Sequence, residues 1–203
     1  MEALLQAQIL ALSNASPDSE TAARVRRARA GDAEAFAWLV ERHERMVLRT
    51  GLRLLGRLDL AQDAAQETFL RLHRHLRSFD ESRELGPWLY RVVVNVCRDA
   101  VRSLRFTRLQ SLDDAPELES TWYSPRALED ALALDQQRRL VQAALLTLPL
   151  KEREAIVLRD IEGLSTAEVA QVLGSSEATV RSQISTGRLK LKRYIEARQG
   201  IRR

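Results

Sequence analysis

Residues 163–185 read GLSTAEVAQVLGSSEATVRSQIS. Ser165 and Glu168 have the spacing of a capping box, in which a hydroxyl and a carboxylate each satisfy a backbone N–H at a helix start. Val169, Ala170, Val172 and Leu173 give the short helix an apolar side, and Gly174 supplies a turn. Ser175 or Ser176 then caps a longer helix carrying Val180, Ile184, Leu189 and Leu191. A short helix, a glycine-centred turn and a longer helix form a helix-turn-helix. In that motif the first residues of the second helix enter the major groove. Here they are Ser176, Glu177, Thr179, Arg181, Ser182 and Gln183, with Ser185 one turn on. Arg pairs with guanine, Gln with adenine, and Glu accepts from cytosine. Arg188, Lys190, Lys192 and Arg193 can add phosphate contacts. A helical hairpin that binds no DNA shares the pattern, and capping, turn and polar face together favour the DNA reader.

Working outward, residues 150–162 make a helix with Ile156, Val157 and Ile161 inward, stopped at Gly163. A helix over 126–148, with Leu140, Val141, Ala144, Leu145 and Leu148 as its apolar stripe, ends at Pro149. Residues 106–124 lack periodicity and read as a linker. Further upstream, Asp32 caps a helix to about Leu55, and Leu60–Leu76 forms the next, with Ala65, Phe69, Leu72 and Leu76 on one face. Pro87 suits the first turn of another helix burying Leu89, Val92, Val93, Val96, Ala100 and Leu104. Its opposite stripe is Trp88, Arg91, Asn95, Arg98, Arg102 and Arg105, spaced for one helix face and suited to phosphates and bases. The same stripe is also what a solvated face looks like in an arginine-rich chain.

Composition sets the frame. The 203 residues are 45% hydrophobic and 30% charged, with a net charge of +4. Residues 24–108 hold 18 Arg against 11 acids, and 136–203 hold 13 bases against 7 acids. Between them, 109–135 hold 1 Arg against 7 acids, so two basic blocks flank an acidic segment. The fold class expected is all-α: two small helical domains joined by an acidic linker, the second ending in the helix-turn-helix. The boundaries are an N-terminal extension over 1–23, a first domain over 24–106, a linker over 107–129 and a second domain over 130–203. The extension contains ALLQAQILAL (3–12), a candidate short helix. The single Cys97 precludes an intrachain disulfide and reads as a small buried hydrophobe. No metal-ligand cluster, cofactor loop, catalytic constellation, membrane-length apolar run or basic signal-peptide n-region is evident, so a cytoplasmic non-enzyme is expected.

The strings GDAEAFAWLVERH (31–43), DAAQETFLRLHRHLRSFD (63–80), WLYRVVVNVCRDAVR (88–102), LPLKEREAIVLRDIEGLSTAEVAQVLG (148–174) and TVRS (179–182) together resemble the extracytoplasmic-function (ECF) group of bacterial sigma factors. The resemblance implies a chain that binds core RNA polymerase and directs promoter recognition, melting and initiation. It implies that Asp63, Gln66, Glu67, Leu70, Arg71 and Arg74 dock on the clamp helices of the large subunit. It implies that Phe79, Asp80, Ser82, Arg83, Leu85, Trp88, Arg91, Asn95, Arg98 and Arg102 meet the minus-10 element. Phe79 and Asn95 would take a flipped base by stacking and by amide hydrogen bonds. Ser176, Glu177, Thr179, Arg181, Ser182, Gln183, Ser185 and Arg188 would read the minus-35 element. Partners implied are core polymerase, promoter DNA and an anti-sigma factor, with no membrane. The acidic linker would lie in a basic polymerase channel. Leu85 departs from the aromatic common in the group, and Gly187 sits mid-helix at a cost of about 1 kcal/mol. Two other readings remain open: a helix-turn-helix regulator that needs no polymerase, and a sigma-like interaction protein that uses no promoter.

Overall fold

The computed structural model describes residues 19–80, 83–110 and 129–198. The expected helix over 3–12, Ser82, the acidic stretch 111–128 and residues 199–203 lie outside the described residues. Among the described residues every regular element is helical. The order is α1 (Ser19–Arg29), α2 (Ala33–Leu55), α3 (Leu58–His75), a 3-10 turn (Leu76–Ser78), α4 (Leu85–Gln110), α5 (Glu129–Thr147), α6 (Leu150–Ile156), a π turn (Val157–Ile161), α7 (Thr166–Leu173) and α8 (Glu177–Arg198).

The first module is α1 to α4. Asp32 caps α2, its carboxylate accepting from the Ala35 N–H at 3.0 Å. Leu39, Val47, Leu54, Ala61, Leu72, Leu89, Val93 and Cys97 have no exposed surface, and they pack α2, α3 and α4 on one another. Helix α1 was not foreseen as an element. It buries Val25 and Thr21 against α2 and therefore starts inside the segment read as an extension. Helix α4 begins two residues before Pro87 and continues to Gln110, past the residue where a linker was expected.

The second module departs from a plain helix over 150–162. After Ile156 the backbone slips to an i→i+5 ladder, with Glu162 N–H donating to the Val157 carbonyl at 2.9 Å. The extra residue per turn lets both Val157 and Leu158 be fully buried. Ser165 and Glu168 form the expected reciprocal cap of α7, at 3.2 and 2.7 Å. Gly174 ends α7 at φ 65, a left-handed conformation that costs glycine nothing. Val180 and Ala170 are buried where α8 crosses α7.

Three positions on the expected apolar stripes are exposed instead: Leu104 at 44%, Val141 at 42% and Leu189 at 50%. At α5 the reason is visible. Gln142 turns inward in place of Val141, and its amide donates to the Leu52 carbonyl at 3.1 Å, at the end of α2. The two modules thus share one continuous core, running from Val25 through Leu54 and Leu55 to Leu145, Leu148 and Leu158.

Helix α7 is only eight residues long and depends on its cap for nucleation. Replacing Ser165 by Ala should cost about 1 kcal/mol of unfolding free energy, read by urea denaturation; no change would mean that the cap contributes nothing.

Candidate nucleic-acid interface

The solvent face of α3 carries the expected docking residues. Asp63, Gln66, Leu70 and Arg74 are exposed, and Glu67 and Arg71 are half-buried. Arg71 donates to Glu67 at 2.8 Å, which holds the Glu67 carboxyl below its ordinary range, and Arg74 approaches the same carboxylate at 3.9 Å. The charges are largely answered within the face. Leu70, 44% exposed, is an apolar point among polar neighbours, which is what a protein contact uses at its centre.

Beside it, the 3-10 turn and the start of α4 enclose an open cavity of about 540 Å³. Phe79, Asp80, Arg83, Trp88, Arg91 and Asn95 line it, with Arg71 reaching in from α3. Phe79 meets Trp88 edge to face, ring centres 5.8 Å apart. Two aromatics, an amide and several cations around a space of this size can stack a base and hydrogen-bond its edge. Leu85 differs from the expectation: it is 3% exposed, sits in the core and does not line the cavity. Arg102 is exposed and pairs with Asp99 at 3.2 Å. Of Arg105, only the backbone lies within the described residues.

On α8, Ser176 accepts from the Thr179 N–H at 3.2 Å, which makes it the cap of the second helix. Glu177, Thr179, Arg181, Ser182 and Ser185 are exposed, and Arg181 donates to Glu177 at 3.0 Å. Gln183 is half-buried with its amide oxygen enclosed, so it presents less to a groove than its neighbours. Arg188 forms a two-pronged pair with Asp160 of the π turn, at 2.9 and 2.5 Å, which raises its basicity further. Gly187 is buried against α6; a Cβ there would lie 2.9 Å from Ile156 Cγ1. Its absence of side chain is what lets α8 approach α6, and this explains a glycine that looked costly in the middle of a helix.

Sequence reasoning missed a set of residues between the modules. Arg98, in the centre of the arginine stripe, donates from Nε and Nη2 to both oxygens of Glu154 on α6, at 2.8 and 2.7 Å. Glu154 has no exposed surface, and its bonds raise the basicity of Arg98. The neighbouring Cys97 thiol is pushed up to about 12, by burial first and by Glu154 second, so it stays protonated. Glu162 accepts from Tyr90 at 3.0 Å, from Thr50 at 3.3 Å and from Arg53. Arg153 donates to the carbonyls of Leu145, Leu146 and Leu148 at the end of α5 and to that of Leu54 at the end of α2. A signal for Glu154 was present. It lies on the apolar stripe of α6, four residues before the buried Leu158, where an acid is out of place unless a cation answers it.

The comparisons agree with this geometry. A family profile described as Sigma-70 region 2 matches residues 39–107, and one described as Sigma-70, region 4 matches 138–191. The ECF RNA polymerase sigma factor SigW of Bacillus subtilis is 31% identical over 177 residues, 85% of this chain and 95% of that one. The ECF RNA polymerase sigma factor SigM of Mycobacterium tuberculosis is 36% identical, over 86% of this chain and 85% of that one. The solved structure of CnrH in complex with the cytosolic domain of CnrY aligns with a TM-score of 0.63 at 29% identity, over 88% of this chain and 98% of that one.

Replacing Gly187 by Ala should destabilise the second module by about 1–3 kcal/mol through overpacking against Ile156. Helix propensity alone favours Ala by about 1 kcal/mol, so thermal denaturation separates the two effects by sign.

Proposed function

This chain belongs to the ECF RNA polymerase sigma factors, and on that premise we propose which of its residues meet polymerase and which meet promoter DNA. It is an alternative sigma factor, a non-enzymatic subunit that directs promoter recognition through RNA polymerase. In the assignment proposed here, the face of α3 bearing Asp63, Gln66, Glu67, Leu70, Arg71 and Arg74 docks on the clamp helices of the large subunit. The cavity between Phe79, Trp88, Arg91 and Asn95 holds an unpaired base of the minus-10 element, and Asp80, Ser82, Arg83, Arg98 and Arg102 flank it. Exposed Glu177, Thr179, Arg181, Ser182 and Ser185 read the minus-35 element. Ser176 positions the helix start, and Gln183 and Arg188 are secondary.

The observation that carries this reading is the cavity itself. It joins an aromatic pair, an amide and arginines at the base of α4, immediately beside an exposed leucine on the docking face. Melting then needs no hydrolysis by this subunit, because trapping an unpaired base in the cavity offsets the cost of opening the duplex. Holding both readers on one large scaffold makes the second DNA contact effectively intramolecular. A lone helix-turn-helix regulator would leave the Sigma-70 region 2 match over 39–107 without a purpose. No described helix is long and apolar enough to cross a membrane. We place the chain in the cytoplasm with the polymerase. By likeness to CnrH, which is solved with a cytosolic protein domain, we propose a protein partner of the anti-sigma kind.

Two substitutions separate docking from promoter opening. Leu70→Glu removes an apolar contact worth about 1.5–3 kcal/mol when buried and should weaken binding to core polymerase about tenfold or more. Arg91→Ala should leave core binding intact and lower the yield of open complex. Equal core binding by wild type and Leu70→Glu would contradict the docking assignment. Unchanged opening by Arg91→Ala would contradict the cavity assignment.

A further inference from the structure

The contact between the modules raises a geometric conflict. The minus-10 and minus-35 elements are named for positions about 25 base pairs apart, or roughly 85 Å along a duplex at 3.4 Å per step. In this structure the two readers touch. Helix α7 of the helix-turn-helix packs directly on α4, the helix of the arginine stripe. Arg98 and Glu154 are 2.7 Å apart. A chain in this arrangement cannot span both elements, so the contact must break when a promoter is bound.

We propose that this contact is a latch that keeps the free chain closed against DNA, with the Glu154 carboxylate occupying Arg98 in the place of a phosphate or base. The proposal rests on the promoter-binding role assigned to the arginine stripe above. A carboxylate and a phosphate use the same two-pronged geometry on a guanidinium, so Glu154 and DNA compete for one fork. The occupation reaches the cavity, because Arg98 Nη1 also donates to the Asn95 side-chain oxygen at 3.3 Å. Glu162 provides a second catch, gathering Tyr90 and Thr50 with Arg53 of the first module on one carboxylate. Gln142 and Arg153 complete it on the carbonyls at the end of α2.

The composition of this contact suits a reversible catch. Its catches are carboxylates, guanidinium groups, an amide, a hydroxyl and backbone carbonyls, all of which water or nucleic acid can satisfy once the modules part. Desolvation of a buried ion pair offsets much of its attraction, so closure by such pairs is specific without being strong. Binding core polymerase to both modules at their promoter spacing supplies the opening free energy, and opening frees Arg98 where it is next needed. A closed state that dominates the free chain lowers its apparent DNA affinity by the fraction that is open.

The test uses the full chain in the absence of polymerase. Small-angle scattering and energy transfer between dyes on the two modules report compactness. Glu154→Arg sets two guanidinium groups against each other and should extend the chain. Arg98→Glu should do the same, and the swapped pair should restore the compact form, which a merely misfolded module would not. Binding of a fluorescein-labelled random-sequence single-stranded 20-mer should tighten about tenfold in Glu154→Gln if the closed form is about 90% populated. The exposed Glu41→Gln, with the same change in charge, should bind as wild type. An extended wild type, single variants that stay compact, a swap that does not restore, or equal gains by Glu154→Gln and Glu41→Gln would each overturn the latch. Transcription with core polymerase is run alongside. If wild type initiates and the latch results are negative, the latch alone is wrong. If wild type fails to initiate, the promoter-binding role is wrong whatever the scattering shows.

Discussion

A carboxylate sealed from water has to be answered by a charge or neutralised, and Glu154 is answered by Arg98. That single requirement ties the arrangement together. It brings α6 to α4, and with it the helix-turn-helix to the helix that carries the arginine stripe. Around it the other polar groups fall into place: Glu162 on the side of Tyr90 and Thr50, Arg153 and Gln142 on the exposed carbonyls of α2. The unpaired ends of helices are strong acceptors, and here one module supplies the donors for the other.

The second module has been shaped to reach that position. The π turn after Ile156 slips the register by one residue, so that Val157 and Leu158 both enter the core while Asp160 meets Arg188 and Glu162 meets the first module. Gly187 lets α8 lie close on Ile156 at the same level. Local cost in helix propensity is exchanged for a close approach, as happens where a helix must present one face outward and pack tightly on the other. The face left outward is the one that carries Glu177, Thr179, Arg181, Ser182 and Ser185.

Much of the fold is written in local pattern. The capping box at Ser165, the turn at Gly174, the Asp32 cap and the apolar periods of α2 and α3 are all short-range signals, and each forms as read. The cavity residues were recognisable because the stripe on α4 repeats at helical spacing. What could not be read is long-range. Gln142 replaces Val141 inside because carbonyls 90 residues away need a donor, and no periodicity records that. The π turn is a compromise among packing partners, invisible in a run such as AIVLRD. Leu85 looked like a DNA contact by position, and its burial follows from the turn before it. Glu154 was half legible: an acid on an apolar stripe demands a partner, yet the sequence does not say which arginine.

A latch between promoter readers and a subunit that works only on polymerase are two aspects of one account, in which the scaffold sets the spacing that the free chain does not adopt. The most direct measurement of the central claim is to add the purified chain to core RNA polymerase on fragmented genomic DNA and sequence the 5′ ends of the transcripts. The account predicts new start sites that share two conserved elements at fixed spacing and vanish when the chain is omitted. Start sites identical with and without the chain would contradict it.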